Sequence, residues 1–232
     1  MRFSTALHKG RLLKRYKRFL ADVELENGDV VTAHCPNTGS MESCYTEHGA
    51  VWLSRSDDPK RKLKWTWEFS EAESGLIGVN TSKPNAVVAE AIANGSIAAL
   101  SCYKTLRQEV KYGTNSRIDI LLEDPKRGAC YVEVKNTTLR RKDSILFPDA
   151  VTERGRKHLA ELVNEVKSGH RAVMLYFINR PDGSYFEPAD SIDPKYGAAL
   201  REAVKQGIEI IALRAKSSVS EISVGETIPV RL

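Results

Sequence analysis

The stretch from Ser116 to Asn136 constrains the fold of this chain more than any other. Two segments rich in apolar residues, 117–123 and 129–135, flank the sequence Asp124-Pro125-Lys126-Arg127-Gly128, whose Pro and Gly predict a turn. The pattern therefore indicates an antiparallel hairpin. A symmetric turn would place Asp119 opposite Glu133 and Arg117 opposite Lys135.

The alternation of strand side chains sorts this hairpin into a polar and an apolar face. Asp119, Glu133 and Lys135 share the polar face. The apolar face is formed by four residues: Ile118, Ile120, Val132 and Val134. Two carboxylates opposite each other lie roughly 5 Å apart between Cβ atoms and destabilise the pair. A divalent cation, Mg²⁺ or Mn²⁺, would compensate them, with Lys135 beside it to neutralise phosphate charge. A salt-bridged, solvated strand face without chemistry is the alternative.

The spacing of these residues resembles the PD-(D/E)xK nuclease superfamily, with Asp119 followed by thirteen residues and then Glu133-Val134-Lys135. Ile118 stands where the superfamily name has Pro. The resemblance implies that Asp119, Glu133 and Lys135 are catalytic and that the first two bind the metal. In this superfamily a preceding helix often supplies a further acid, which makes Glu90 a candidate third ligand. A solvated helix Glu is the equal alternative.

Residues 1–82 show the pattern of short strands and turns that is typical of a small β-barrel. The alternation from Phe19 to Leu25 and the Asn27-Gly28 turn predict a first hairpin, and further short strands follow at close spacing. About five strands in this length indicate a barrel of the OB type, whose open face and loops bind single strands or oligonucleotides. Trp65, Trp67 and Phe69 alternate along one strand, and we expect them in the core rather than as stacking platforms.

Residues 83–232 alternate between helical and strand patterns. Pro84 and Asn85 open a helix that Asn94-Gly95 ends, Thr152 is the N-cap of a second helix, and Asp193-Pro194 opens a third. The continuous apolar segment 172–178 predicts a strand covered on both faces. We therefore predict a two-domain α/β protein, an OB-like barrel over 1–82 and a PD-(D/E)xK-like α/β domain with a mixed central sheet over 83–232.

Composition and charge narrow the function classes. The chain has 232 residues and lacks an apolar segment of membrane-spanning length. Its four cysteines do not have the spacing of a metal site or a disulfide framework. We therefore expect a soluble cytoplasmic protein. The formal net charge is +5, and basic residues cluster near the N-terminus and after the hairpin. Such clusters bind a polyanion without reading its sequence. The predicted DNA contacts are Lys14, Arg15, Lys17, Arg18, Arg140, Arg141, Arg154, Arg156 and Lys157. A solubilising surface is the alternative.

Several longer motifs occur together in this chain. They are Arg15-Tyr16-Lys17-Arg18-Phe19, Cys35-Pro36-Asn37-Thr38-Gly39-Ser40-Met41, Lys64-Trp65-Thr66-Trp67-Glu68, the hairpin, and Phe147-Pro148-Asp149-Ala150-Val151-Thr152-Glu153-Arg154-Gly155. This set resembles the bacterial and archaeal sugar fermentation stimulation protein A family over essentially the full chain. The resemblance implies an OB-like domain joined to a PD-(D/E)xK-like domain, non-specific DNA binding, and a regulatory link to maltose metabolism.

Two classes of function remain open from the sequence. The first is a metal-dependent DNA nuclease. The second is a DNA-binding regulatory protein that keeps a nuclease fold and uses the same residues for structure or for a non-catalytic metal. A sugar-binding or sugar-modifying enzyme has little support, because the sequence contains no phosphate loop of a sugar kinase.

Overall fold

The computed structural model describes residues 1–113 and 116–232. Six strands form the first sheet: β1 His8–Tyr16, β2 Leu20–Leu25, β3 Val30–His34, β4 Ala50–Arg55, β5 Trp65–Ala72 and β6 Gly75–Gly78. Their order is β3-β2-β1-β4-β5-β6, and a short parallel pairing of β3 with β5 closes five of them into a barrel. The predicted OB-like barrel is confirmed.

The barrel interior holds the apolar side chains that alternate along its strands. Trp67 is fully buried there, and its indole Nε1 donates a hydrogen bond of 2.9 Å to the carbonyl of Phe69. Phe69 is also fully buried, but it packs against the second domain. Trp65 is only partly buried and packs edge-on against His8 at 5.0 Å. Trp67 and Phe69 are therefore core residues, whereas Trp65 reaches the surface at the end of its strand.

Six strands also form the sheet of the second domain: β7 Thr105–Tyr112, β8 Ser116–Asp124, β9 Gly128–Thr137, β12 Arg171–Ile178, β14 Glu209–Ser217 and β15 Ile222–Thr227. Their order is β15-β14-β12-β9-β8-β7. The central strands β9, β12 and β14 run parallel, and the outer pairings are antiparallel, so the sheet is mixed as predicted. A small third sheet contains β10 Leu139–Arg141, β11 Ser144–Phe147 and β13 Tyr185–Pro188.

Three helices cover this central sheet: α1 Pro84–Ala93, α2 Glu153–Lys167 and α3 Pro194–Lys205. α1 packs on one face, and α2 and α3 pack on the other. The predicted N-caps are present, because Thr152 Oγ1 accepts the N–H of Gly155 and Asp193 Oδ1 accepts the N–H of Tyr196. No helix within residues 1–113 and 116–232 is long and apolar enough to cross a membrane.

Candidate metal and DNA site

The β8–β9 hairpin has the predicted register near its turn. Opposed residues run from Asp124 with Gly128 to Ile120 with Val132. At the next position Asp119 Oδ2 accepts the backbone N–H of Val134 at 2.7 Å. Contrary to expectation, Asp119 is therefore not paired directly opposite Glu133. Its side chain contacts the backbone of β9 instead, at a level where β9 continues its parallel pairing with β12.

The expected apolar face of the hairpin is wrong at one residue. Ile120 packs on the α1 side of the sheet, whereas Ile118 packs on the opposite side with the residues of α2 and α3. The neighbouring strand β7 has a positive φ of 54° at Glu109, between the residues paired with Ile118 and Ile120. Both strands therefore change face at the level of Asp119, which a strict period-two pattern does not anticipate.

Asp119 is held by two hydrogen bonds from different elements. Besides the Val134 N–H, the amide Nδ2 of Asn85 on α1 donates to Asp119 Oδ1 at 2.8 Å. Burial and the nearby negative charge of Glu133 raise the pKa of Asp119 to about 6, although both hydrogen bonds and Lys135 act in the opposite direction. The two carboxylates therefore interact unfavourably when both are ionised.

Glu133 is almost completely buried, with 1% of its surface exposed. Its Oε1 receives Lys135 Nζ at 2.6 Å and also contacts His158 Nδ1. Burial by itself raises the pKa of Glu133, but the His158 hydrogen bond and the Lys135 charge outweigh it and hold that pKa below its usual value. Its other oxygen, Oε2, is buried without a hydrogen-bond partner among the residues that the structure describes. Such an orphaned acceptor is costly unless a ligand satisfies it.

His158 on α2 completes the cluster. Its Nε2 accepts a hydrogen bond from Arg154 Nε at 3.3 Å, which assigns the ring proton to Nδ1 and makes Nδ1 the donor to Glu133. Neither His158 nor Asn85 was predicted from the sequence to have a role in the site. The available signal was the i, i+4 spacing of Arg154 and His158, one position before the buried Leu159.

Glu90 is not brought to this cluster. Its Oε2 lies 3.0 Å from the amino group of Met1, and that amino group donates to the carbonyl of Ile222 on β15. Its side chain is 55% exposed. Since Asn85 near the start of α1 already reaches Asp119, the residue five positions later points to another side of the helix. The structure therefore does not bring Glu90 to Asp119 and Glu133, and its role as a third metal ligand stays a prediction.

The remaining donor set fits a hard divalent cation. Within residues 1–113 and 116–232, no group of three or more His, Cys, Asp or Glu side chains is arranged to hold a metal ion by itself. Mg²⁺ usually retains waters and binds through one or two carboxylates together with substrate phosphates. Asp119 and the unpartnered Oε2 of Glu133 supply that minimal pair.

Family models match both parts of the chain. Residues 13–79 match the SfsA N-terminal OB domain, and residues 82–221 match the sugar fermentation stimulation protein RE domain. The chain belongs to the sugar fermentation stimulation protein family. Its predicted fold, an OB barrel followed by an α/β nuclease-like domain, is that of the family.

Relatives of this family member match it from end to end. A sugar fermentation stimulation protein homolog from Geotalea uraniireducens is 52% identical over 232 residues and is covered completely, as is this chain. The homolog from Geobacter sulfurreducens is 54% identical over 224 residues, which cover 97% of this chain and 96% of the relative. The solved structure of Pyrococcus furiosus SfsA in complex with Ca²⁺ matches with a TM-score of 0.89 and 25% identity, over 100% of this chain and 98% of that one.

Four arginines among the nine predicted DNA contacts donate hydrogen bonds to carbonyl or carboxylate oxygens of the protein: Arg15, Arg140, Arg141 and Arg156. Arg15 Nη2 donates to the carbonyls of Arg18, Asn37 and Gly39 at 2.9, 3.0 and 2.9 Å. The guanidinium of Arg15 thus fixes the loop that follows β3. This geometry does not support its predicted role as a phosphate contact.

The other three arginines form ion pairs with acidic residues distant in sequence. Arg140 pairs with Asp182 at 3.0 Å. Arg141 makes two hydrogen bonds of 3.0 Å to the carboxylate of Glu42. Arg156 Nη1 donates to Asp193 at 2.7 Å. Because their partners are distant in sequence, these ion pairs could not be read from local sequence, and the role of the three arginines as DNA contacts stays a prediction.

Six of the nine predicted contacts are exposed: Lys14, Lys17, Arg18, Arg141, Arg154 and Lys157. Lys17 and Arg18 form the β1–β2 turn with positive φ values of 49° and 66°. Two consecutive left-handed residues other than Gly are strained, and the Arg15 hydrogen bond to the Arg18 carbonyl helps to hold them. Lys14 lies 3.4 Å from Asp22, and Lys157 lies 3.7 Å from Glu161. Among the predicted DNA contacts, most of the exposed cations therefore lie near the barrel turn and in the first half of α2.

Proposed function

We propose that this protein is a DNA-binding, metal-dependent phosphodiesterase. Residues 1–82 form the nucleic-acid-binding barrel, and residues 83–232 carry the catalytic site at Asp119, Glu133 and Lys135. The observation that carries the proposal is the half-buried Asp119 near the buried Glu133, whose Oε2 has no partner among the described residues. The Ca²⁺ complex of the Pyrococcus furiosus relative supports a divalent cation in this family.

Each residue of the cluster has a separate role. Asp119 and Glu133 would hold Mg²⁺ or Mn²⁺, which supplies Lewis-acid activation of water and phosphate when bound. The Lys135 ammonium, 2.6 Å from Glu133, neutralises negative charge that develops on the phosphate. His158 positions Glu133 by donating to its Oε1, and Asn85 positions Asp119.

The exposed cations provide affinity that does not depend on DNA sequence. These cations are Lys17 and Arg18 on the barrel turn and Arg154 on α2. The flexible lysine ammonium and the forked arginine guanidinium both donate hydrogen bonds to phosphate oxygens. Arg154 also contacts His158, so the same arginine connects the DNA surface with the acidic cluster. DNA bound along these residues would present its backbone to the proposed catalytic site.

Cleavage of supercoiled plasmid DNA tests the proposal directly. We expect nicking with Mg²⁺ or Mn²⁺ that a chelator abolishes. Lys135→Ala should lower the rate by at least about 100-fold, because it removes charge stabilisation at the reacting phosphate. Lys126→Ala, in the exposed turn of the same hairpin, is the matched control and should retain activity. Wild-type protein that binds DNA but never cleaves it would refute the catalytic assignment.

A second candidate is a DNA-binding regulator of sugar metabolism without catalytic activity. The observation in its favour is that Lys135 and His158 both contact Glu133 Oε1, so part of the acidic charge is compensated internally. This candidate predicts that Lys135→Ala reduces folding stability and leaves DNA affinity unchanged. Plasmid cleavage that requires Lys135 would exclude it.

A further inference from the structure

A cleft of about 360 Å³ lies where the barrel meets the second domain. Its walls come from two sequence motifs that the proposed catalytic cluster does not use, Pro36–Gly39 after β3 and Phe147–Thr152 before α2. Asn136 and Thr81 also line the cleft, and Arg18 reaches it from the strained barrel turn. Both domains therefore build one polar-edged cavity.

Asn37 lines this cleft and has a side-chain hydrogen-bond donor without a partner in the part of the protein that the structure describes. Only 6% of the residue is exposed, and its Oδ1 accepts the N–H of Gly39 at 2.9 Å. The amide Nδ2 donates to no group within residues 1–113 and 116–232. The loop cannot relax easily to satisfy it, because Arg15 binds the carbonyls of both Asn37 and Gly39. A ligand acceptor in the cleft would satisfy this donor.

Asp149 supplies an acceptor beside that donor. Its Oδ2 accepts the backbone N–H of Ser40 at 3.1 Å, while its Oδ1 accepts no hydrogen bond within the described chain. A Cβ on Gly39 would collide with Asp149 Oδ2 and come within 3.0 Å of Asn37 Oδ1, so both side chains converge on this glycine. One edge of the cleft thus offers a donor and an acceptor next to each other.

The rest of the cleft is partly apolar. The apolar residues that line it are Leu139, Leu146, Phe147 and Pro148. A ligand with apolar faces and a polar edge fits such a cavity, and a nucleobase has that character, since its ring faces stack and its edge carries donors and acceptors. Arg18 at the rim suits the accompanying phosphate.

Two of the elements that carry the proposed catalytic site also contribute residues to the cleft. Asn136 directly follows Lys135 on β9, and Thr152 is the N-cap of the helix that carries Arg154 and His158. A nucleotide in the cleft would therefore be joined to phosphates near the cluster. A base stacked within a duplex cannot enter a cavity between two domains unless it leaves the stack.

We propose that this cleft binds one unpaired nucleotide of the DNA substrate, next to the scissile phosphate. The inference rests on the proposed phosphodiesterase function and specifies its substrate as DNA containing an unpaired or extruded nucleotide. Asn37 and Asp149 read the polar edge of the base, and Arg18 contacts its phosphate.

Binding measured in a chelator tests this inference separately from catalysis. Two otherwise identical short duplexes carry 2-aminopurine, either fully paired or opposite an abasic site, and fluorescence anisotropy gives both dissociation constants. We expect the wild type to bind the unpaired probe about tenfold more tightly than the paired probe. An affinity difference of this size is what one well-formed set of hydrogen bonds provides. Failure of plasmid cleavage with this preference intact would remove only the catalytic proposal.

Asn37→Asp is the decisive variant, because it keeps the acceptor for Gly39 and changes only the atom that lacks a partner. Asn94→Asp is the matched control: it adds the same charge and keeps the Asn94 acceptor for Ser96 at the end of α1. Asn37→Asp should abolish the preference for the unpaired probe, and Asn94→Asp should preserve it. Ala150→Trp, at an exposed position lining the cleft, should also abolish it if Asn37→Asp fails to fold.

The contrary results are equally specific. Equal affinity of the wild type for both probes would overturn the inference. It would also be overturned if Asn37→Asp and Ala150→Trp, both folded, kept the same preference as Asn94→Asp.

Discussion

Helix α2 contacts two buried carboxylate centres that differ in how completely they are satisfied. Asp193 is 2% exposed, and its oxygens accept the N–H groups of Thr152 and Tyr196 at 2.9 Å and Arg156 Nη1 at 2.7 Å. Glu133, which contacts His158 on the same helix, keeps one buried oxygen without a partner in the described chain and lies near Asp119. The first centre joins α2 to α3, and the second joins α2 to the sheet.

The pKa values express the same contrast. Burial pushes the pKa of Asp193 upward, but the two backbone N–H groups and Arg156 outweigh it and lower that pKa. At Asp119, burial and the charge of Glu133 prevail and raise the pKa to about 6. Unfavourable charge placement that persists in a folded protein is typical of functional sites. The contrast indicates a structural role for Asp193 and supports the proposal that Asp119 and Glu133 form a functional site.

The largest effect is expected on folding stability when the Asp193 carboxylate, whose hydrogen bonds are all satisfied, is removed. Asp193→Ala should lower the free energy of unfolding by about 3–5 kcal/mol, because it leaves Arg156 and two N–H groups without their acceptor. Urea unfolding measures this change, which corresponds to a fall in Tm of about 10 °C. Asp190→Ala, which removes an exposed partner of Arg201, should cost less than about 1 kcal/mol. Equal effects of both changes would remove the structural side of the comparison.

An intermediate effect of opposite sign is expected at Asp119. Because its folded pKa lies above the unfolded value of about 4, the native state binds this proton more tightly, and the contribution to stability falls as the pH rises from about 4 to about 6. Asp119→Asn cannot ionise, and Asn85 can turn its amide to accept the new N–H₂. The variant should match the wild type near pH 4 and exceed its stability by about 2 kcal/mol above pH 6.

This pH dependence is measured by urea unfolding of both proteins in chelator-treated buffer. The difference between the two curves isolates Asp119 from the other carboxylates. A variant that is less stable than the wild type at pH 7 would show that the Asp119 carboxylate is a stabilising group, contrary to this account.

The smallest expected effect distinguishes two arginines of α2. Arg154→Ala should reduce the magnitude of the slope of log K against log salt for duplex DNA by about 0.9, the value for one phosphate contact. Arg156→Ala should leave the slope unchanged and lower stability, because Arg156 serves Asp193. Salt titrations of DNA binding, with unfolding curves for both variants, test this. Identical slopes for Arg154→Ala and the wild type would place DNA elsewhere.

The parts of this structure that the sequence predicts are those determined by near neighbours. The turn around Pro125 and Gly128, the hairpin register beside it, and the caps Thr152 and Asp193 all depend on residues within one turn of chain. The barrel follows from strand alternation and the Asn27-Gly28 turn in the same way.

The arrangements that the sequence did not predict depend on partners distant in sequence. Arg141 resembled a DNA contact until Glu42, 99 residues away, was found to pair with it. Ile118 lies on the face opposite to Ile120, at the level where Glu109 of the neighbouring strand has a positive φ. Glu90 forms an ion pair with the amino group of Met1. His158 lies beside Glu133 only because α2 packs on the sheet. None of these pairings leaves a local pattern in the sequence.

The most direct test of the central claim is calorimetric titration of the protein with Mn²⁺ in the absence of DNA. The account predicts a binding heat and a rise in Tm for the wild type, because a metal that binds the folded state stabilises it. Both should be lost in Asp119→Asn and retained in Lys135→Ala, whose side chain acts on phosphate rather than on the ion. A wild type without heat or thermal shift, or an Asp119→Asn variant that still binds Mn²⁺, would contradict the metal site.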